Sequence, residues 1–130
     1  MGEEQAIHLN KQCNFPWLLS NVKLVDGEQV AETKPFHIEE KAGYKIGFLG
    51  IAEMEWIATL STFDAEDLVY EDFVESSNRM AKELREVHAC DMVIVLSHMR
   101  VPNDRKLAEE CTEVDLFLGG HDHVYPIISF

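Results

Sequence analysis

Apolar and polar positions repeat regularly in the second half of the chain, and their spacing predicts alternating helices and strands. Within residues 72–88, apolar or small side chains recur every three or four positions and charged side chains take the opposite face, which predicts an amphipathic helix. Short apolar runs at residues 92–97 and 114–118 each predict a buried strand. The charged stretch 104–111 between them predicts a second helix, with Asp104 at its N-cap.

The first half of the chain carries longer apolar runs. Residues 15–25 predict a buried strand, because the run is apolar and ends at an Asp-Gly turn signal. Residues 34–40 and 44–52, separated by an Ala-Gly pair, predict a β-hairpin. Residues 53–67 have no clean period and predict a loop with about one helical turn.

The order of the predicted elements indicates the fold class. Strand, helix, strand, helix, strand is typical of right-handed βαβ crossovers, which build a parallel sheet with helices packed against it. The chain has 130 residues, of which 46% are apolar and 27% charged, so it suits one globular core and not a disordered or coiled-coil chain. We therefore predict an α/β layered sandwich.

The net charge restricts the partners that the chain can have. Eleven Lys and Arg residues stand against twenty-four Asp and Glu residues, which gives a formal charge of −13. Such a charge repels nucleic-acid phosphates and anionic membranes, so we expect neither as a partner. A phosphorylated small molecule would also be repelled unless bound cations reverse the sign locally.

No C-x-x-C spacing occurs among the three cysteines, Cys13, Cys90 and Cys111. We therefore expect structural thiols and neither a disulfide framework nor a zinc site made of thiolates. The first residues are acidic and contain no apolar signal-peptide segment, and no apolar run has the length of a membrane span. For the chain as given, these features favour the cytoplasm.

Three histidines follow the predicted strands. His98 ends the strand over residues 92–97, and His121 follows the next strand through a Gly-Gly pair, so both should lie at the carboxyl edge of a parallel sheet, where ligands bind in α/β proteins. His123 is two positions later, and in an extended segment it would face the same side as His121. Imidazole suits Zn, Mn or Fe better than Ca or Mg, so these residues are candidate metal ligands; the alternative is histidines that only hydrogen-bond at strand ends.

Other polar residues near this edge have plausible supporting or structural roles. Positive φ at Gly119 and Gly120 would let the backbone pass close to an ion. Arg100, Asn103 and Asp104 follow His98 and could orient its imidazole or face a phosphate, although an N-cap role is the favoured interpretation of Asp104. Asp122 points to the other side of the extended segment and is not expected to be a ligand. Structural roles are expected for the remaining histidines, namely His8 in a frayed terminus, His37 in the hairpin and His88 at a helix end.

Four segments together resemble the 5′-nucleotidase branch of the calcineurin-like metallophosphoesterases. They are FPWLLSNV at residues 15–22, KIGFLGI at 45–51, MVIVLSHM at 92–99 and LFLGGHDHVY at 116–125, with G-H-D-H as the most specific motif. The resemblance implies a four-layer αββα sandwich that binds two divalent transition-metal ions and hydrolyses phosphomonoesters, including nucleotides, by attack of a metal-bound hydroxide. It also implies that His98 and His121 bind one ion and His123 the other.

Motifs that precede these segments in that family are absent from the 130 residues. We find no D-x-H, no G-D-x-x-D with its bridging aspartate and no G-N-H with its catalytic histidine. The chain therefore resembles the second half of a catalytic domain, and alone it should be inactive and prone to associate with itself through uncovered sheet surface. The alternatives are a shortened, non-catalytic module that binds metal or protein, and an acidic interaction domain with incidental histidines.

Overall fold

The computed structural model describes residues 2–59, 65–125 and 127–129. The helices are α1 (Glu3–Gln12), α2 (Glu55–Thr59), α3 (Phe73–Glu86) and α4 (Val101–Glu110). The strands are β1 (Val22–Leu24), β2 (Phe36–Lys41), β3 (Tyr44–Ala52), β4 (Leu68–Tyr70), β5 (Met92–His98) and β6 (Leu116–Gly119). Within the described ranges, no helix combines the length and the apolar character needed to cross a bilayer.

Strands β2, β3, β5 and β6 form one sheet in that order. The hairpin prediction is confirmed, because β2 and β3 pair antiparallel around Ala42 and Gly43, whose φ angles of +53° and +85° make the tight turn. The βαβ prediction is also confirmed: β3, β5 and β6 are parallel, and α3 and α4 make the two connections. The chain is thus a mixed α/β structure, as the sequence predicts.

The core lies between this sheet and the two connecting helices. Asp72 is the N-cap of helix α3, and its side chain accepts hydrogen bonds from the backbone N–H groups of Val74 and Glu75. This cap satisfies two of the helix's otherwise unpaired donors and fixes where the helix begins. The most deeply buried core side chains are Leu49, Leu84, Val93, Val95, Met99 and Leu107.

The opposite face of the sheet is only partly covered by the described residues. The strand register places Gly50, Leu96 and Leu118 side by side on this face. The segment before β1 crosses over Gly50, and the backbone N–H of Ser20 donates to the Gly50 carbonyl over 2.7 Å. Leu96 and Leu118 remain 40% and 49% exposed, which is the apolar surface expected of a layer that packs against another.

Two predictions for the first 25 residues are wrong. Only Val22–Leu24 of the predicted strand over residues 15–25 is a strand, and it pairs with β4, which the sequence did not predict. The residues before it instead follow an irregular path across the sheet. The expected frayed terminus is helix α1, which the Asn10 side chain ties down by donating to two backbone carbonyls of the turn at Val30–Glu32.

The other boundary differences are smaller. The predicted loop over residues 53–67 does contain a short helix, α2, and its residues 60–64 lie outside the described residues. Helix α4 begins three residues earlier than predicted, with Pro102 near its start, so Asp104 lies inside the helix and the N-cap prediction for it is wrong. The N-cap position is Arg100, whose side chain makes no cap hydrogen bond.

All three cysteines are free thiols, and Cys90 and Cys111 are buried. Burial is the main cause that raises the pKa of the Cys111 thiol from 9.0 to about 11, and the nearby carboxylates of Glu110 and Asp72 raise it further. In the folded chain this thiol therefore stays protonated at a pH at which it ionises in the unfolded chain. Stability linked to Cys111 is present below pH 9 and is lost as the pH rises through about 11.

Replacing Cys111 with alanine should therefore flatten the alkaline decline in stability. Ionisation of this thiol lowers the free energy of unfolding by about 2 to 3 kcal/mol as the pH rises from 9 to about 11, because each pKa unit corresponds to about 1.4 kcal/mol. Urea unfolding of the wild type and Cys111→Ala across this pH range measures the slope. Cys13→Ala removes a thiol outside this core and is the control. Equal slopes in wild type and Cys111→Ala would contradict the prediction.

Candidate functional site

Three parallel strands end at the same edge of the sheet and bring their following residues together. Glu53 comes directly after β3, His98 is the last residue of β5, and His121 follows β6 after Gly120. In the register, His98 stands next to Ala52, the last residue of β3. The carboxyl edge is where open α/β sheets bind ligands, so these residues form the candidate site.

His98 and His121 face one another at this edge, as the sequence predicts. Their ring centroids are 5.1 Å apart, and the rings meet edge to face. Trp56 of α2 packs against both imidazoles, with centroid distances of 5.2 Å to His98 and 4.6 Å to His121. Its indole N–H also donates to the backbone carbonyl of His98 over 2.9 Å. The two histidines are thus held by an aromatic side chain that the sequence analysis did not select.

Glu53 is the second residue that the sequence analysis missed. Its side chain is 2% exposed, and its Oε2 accepts hydrogen bonds from the backbone N–H of Arg100 and the side-chain amide of Asn103. The Arg100 guanidinium forms an ion pair with Glu55, whose carboxylate lies 2.5 Å away. Arg100 and Asn103 therefore bind acidic residues that follow β3, which is a different arrangement from the predicted contact with the His98 imidazole.

Asp104 supports the strand ends from inside α4. Its Oδ1 accepts a hydrogen bond from the Ser97 hydroxyl over 2.6 Å, beside the last residue of β5. Burial raises the pKa of the Asp104 carboxyl, against the hydrogen bond from Ser97, and the negative charges of Asp122 and Glu53 raise it further. A Cβ atom on Gly119 would lie 2.5 Å from the Asp104 carboxylate, so glycine leaves room for this close approach.

Asp122 fastens the loop after β6 to the start of α4. Its Oδ2 accepts a hydrogen bond from the backbone N–H of Val101 over 2.7 Å. This bond satisfies a donor of the first helical turn, which the side chain of Arg100 leaves uncapped. Asp122 therefore helps to hold His121 near His98.

Two details of the predicted site are corrected by the backbone. His123 has a φ of +52°, so the segment from His121 is not the extended one that the spacing argument assumed, and the His123 side chain is exposed. The positive-φ glycines among the described residues are Gly27 and Gly43, so Gly119 and Gly120 do not provide the predicted conformation. In the described part of the chain, no three His, Cys, Asp or Glu side chains are grouped closely enough to hold a metal ion. The role of His123 stays a prediction.

The remaining histidines make contacts elsewhere in the fold. His8 is hydrogen-bonded to Gln12 within α1, at 2.6 Å, and His37 of β2 pairs with Glu39 at 3.1 Å. His88 follows α3 and packs against the ring of Phe36, with a centroid distance of 5.0 Å. These positions are compatible with the structural roles expected for them.

Comparisons with known proteins identify related sequences, although no protein-family profile matches the chain. A Bacillus subtilis protein named an uncharacterized metallophosphoesterase, YunD, is 27% identical over 124 residues, which are 95% of this chain and 26% of that protein. An apyrase of Tabanus yao is 34% identical over 87 residues, which are 66% of this chain and 15% of the apyrase. The chain thus spans about a quarter or less of the length of these relatives.

Comparison with solved structures finds proteins with a similar fold. The crystal structure of a 5′-nucleotidase precursor from Thermus thermophilus superposes with a TM-score of 0.79 at 22% identity, covering 94% of this chain and 24% of that chain. The relatives and structural neighbours are calcineurin-like metallophosphoesterases and 5′-nucleotidases, which confirms the resemblance and the fold class predicted from the sequence. By their names, these relatives are hydrolases.

Proposed function

We propose that the 130 residues are the second half of the catalytic domain of a metal-dependent phosphoric-ester hydrolase of the 5′-nucleotidase type. The observation that carries the proposal is the pair formed by His98 and His121, with rings 5.1 Å apart, at the shared carboxyl edge of three parallel strands. The matching fold and the names of the relatives support the same reaction class.

His98 and His121 could supply two of the ligands that a divalent transition-metal ion needs. Two imidazoles can supply neutral nitrogen ligands, which Zn, Mn and Fe accept in proteins. The charges of Asp122 and Glu53 contribute to raising the pKa of the Asp104 carboxyl, and a cation bound nearby would offset this repulsion. His98 and His121 would hold one ion, and His123 would contribute to a second ion in the complete domain.

When bound by these histidines, a divalent ion would supply Lewis acidity for phosphoryl oxygens and for activating water. The residues of this chain would keep that ion in place. Trp56 packs against both imidazoles, Asp122 fastens the loop that carries His121, and Asp104 holds the end of β5 through Ser97. Outer contacts of this kind orient metal ligands in other metalloproteins.

The proposed substrate class is a small phosphomonoester, with a nucleotide as the preferred example. The relatives named 5′-nucleotidase and apyrase support this choice. The net charge of −13 makes such an anion a poor ligand of the metal-free chain. Binding of a phosphate ester should therefore depend on the metal.

Calorimetric titration of the zinc-loaded chain with AMP tests this proposal, and adenosine is the matched ligand without phosphate. We expect AMP to bind only in the presence of zinc and adenosine not to bind at all. We also expect no phosphate release by the chain alone, because it contains no bridging aspartate motif and no G-N-H histidine to complete a two-ion site.

Two results would contradict the proposal. Equal binding of AMP and adenosine would mean that the phosphate is not recognised, and zinc binding without any AMP binding would favour the non-catalytic module. Metal-dependent phosphate release that disappears in His121→Ala would overturn the expectation that the chain alone is inactive.

A further inference from the structure

Glu53 is a buried carboxylate whose two side-chain hydrogen bonds go to the turn after β5 and to the first turn of α4. Its Oε2 accepts from the Arg100 backbone N–H over 3.2 Å and from the Asn103 side chain over 2.5 Å. Its Oε1 is buried and accepts no hydrogen bond from the described residues, and the Arg100 Nε is 3.7 Å away from it. Arg100 ends the turn that leads from His98 into α4, and Asn103 lies in the first turn of α4.

Burying a carboxylate is unfavourable unless its partners compensate for the lost water. The Arg100 guanidinium is only a weak compensation here, because its side chain is 54% exposed and its closer partner is Glu55. The main compensation for burying Glu53 is therefore its two hydrogen bonds, one to the backbone of the turn after β5 and one to the first turn of α4. A side chain in this situation acts as a tether between two strand ends.

The segment that follows β3 also contacts the turn after β5 through Trp56. Three residues after Glu53, Trp56 donates its indole N–H to the carbonyl of His98. The His98 carbonyl and the Arg100 N–H are thus both held from the end of β3, and Met99 between them is fully buried. The backbone on both sides of Met99 is thus fixed by the segment that follows β3.

We propose that Glu53 is a positioning residue, which fixes the turn after β5 and so keeps the His98 imidazole against that of His121. The inference rests on the proposed function, in which these two histidines bind the metal. The sequence pattern alone does not indicate this role for the buried Glu53 side chain.

Zinc affinity measured by calorimetry tests the assignment. Glu53→Ala should bind zinc about 10- to 100-fold more weakly, which is the usual cost of losing a residue that orients metal ligands. Glu53→Gln should bind nearly as the wild type does, because the amide oxygen can accept the same two hydrogen bonds. Asp115→Ala is the matched control. Asp115 tethers the other end of β5 by accepting from the Val93 N–H over 2.7 Å, so its loss should leave zinc affinity unchanged.

Several outcomes would overturn the assignment. Unchanged affinity in Glu53→Ala would do so, and so would equal losses in Glu53→Ala and Asp115→Ala, because equal losses report a general loosening of the fold. A loss in Glu53→Gln as large as in Glu53→Ala would overturn the acceptor role. If circular dichroism shows Glu53→Ala to be unfolded, Asn103→Ala, which removes one of the two donors, should show a smaller loss in the same direction, and wild-type affinity in it would overturn the assignment.

Hydrogen exchange in the metal-free chain separates this inference from the proposed function. If the wild type binds no zinc, the proposed function fails, while the tether can still be measured. The Arg100 amide should then exchange faster in Glu53→Ala than in the wild type, and the Val93 amide should keep its rate. Equal exchange of the Arg100 amide in both proteins would overturn the positioning role.

Discussion

Replacing His98 and His121 together with alanine is expected to weaken zinc binding by about 100-fold or more. The two imidazoles are the paired nitrogen donors at the carboxyl edge of the sheet, and removing direct ligands should cost at least as much as removing the residues that orient them. Calorimetric titration of the wild type and the double variant measures the loss. Circular dichroism checks that the variant is folded.

The control is a second pair of histidines outside the site. His8 lies in α1 and His37 in β2, and each makes its own hydrogen bond away from the strand ends. His8→Ala/His37→Ala should bind zinc like the wild type. If both double variants lose affinity equally, zinc binds surface histidines in general and the site assignment is wrong.

Gly50→Ala is expected to destabilise the fold by about 3 kcal/mol, the upper part of the usual range for overpacking. A Cβ atom at this position would lie 2.6 Å from the Leu18 carbonyl oxygen and 2.7 Å from its Cβ. The clash involves backbone that is itself held in place, because Ser20 exchanges two hydrogen bonds with Gly50. Urea unfolding should therefore show a large fall in the free energy of unfolding.

Gly120→Ala is the matched control for this steric argument. Its Cβ would meet the Ser97 carbonyl oxygen at 3.6 Å, an ordinary contact, and its φ is not positive. We expect a change of at most about 0.5 kcal/mol in unfolding free energy. Similar effects in the two variants would contradict the view that the segment over Gly50 is a fixed layer of the structure.

The sequence predicts the parallel half of the fold well, for a clear physical reason. In the hairpin and the two βαβ units, each strand or helix has an apolar pattern of its own period, so local and tertiary signals agree. The run over residues 15–19 is apolar but does not form a strand of the sheet, because the segment crosses Gly50 and is held by a few long-range hydrogen bonds. Helix α1 is fixed by contacts with the distant turn at Val30–Glu32, which no local period reveals.

The candidate site is predicted in part for similar reasons. The rule that ligands collect beyond parallel strand ends locates His98 and His121. Applied to the end of β3, the same rule points to the segment with Glu53 and Trp56, but that segment has no hydrophobic period, so the sequence predicts only a loop there. The conformation of His123 could not be predicted, because a positive φ in a non-glycine residue depends on the contacts of the whole loop.

X-ray absorption at the zinc edge of the zinc-loaded chain shows directly whether the histidines at the strand ends bind the ion. We expect nitrogen neighbours at about 2.0–2.1 Å with the outer-shell scattering of imidazole rings, and a weaker imidazole signal in His98→Ala/His121→Ala. A sulfur shell at about 2.3 Å would contradict this expectation, because the ion would then be bound by cysteine thiolates and not by the histidines at the strand ends.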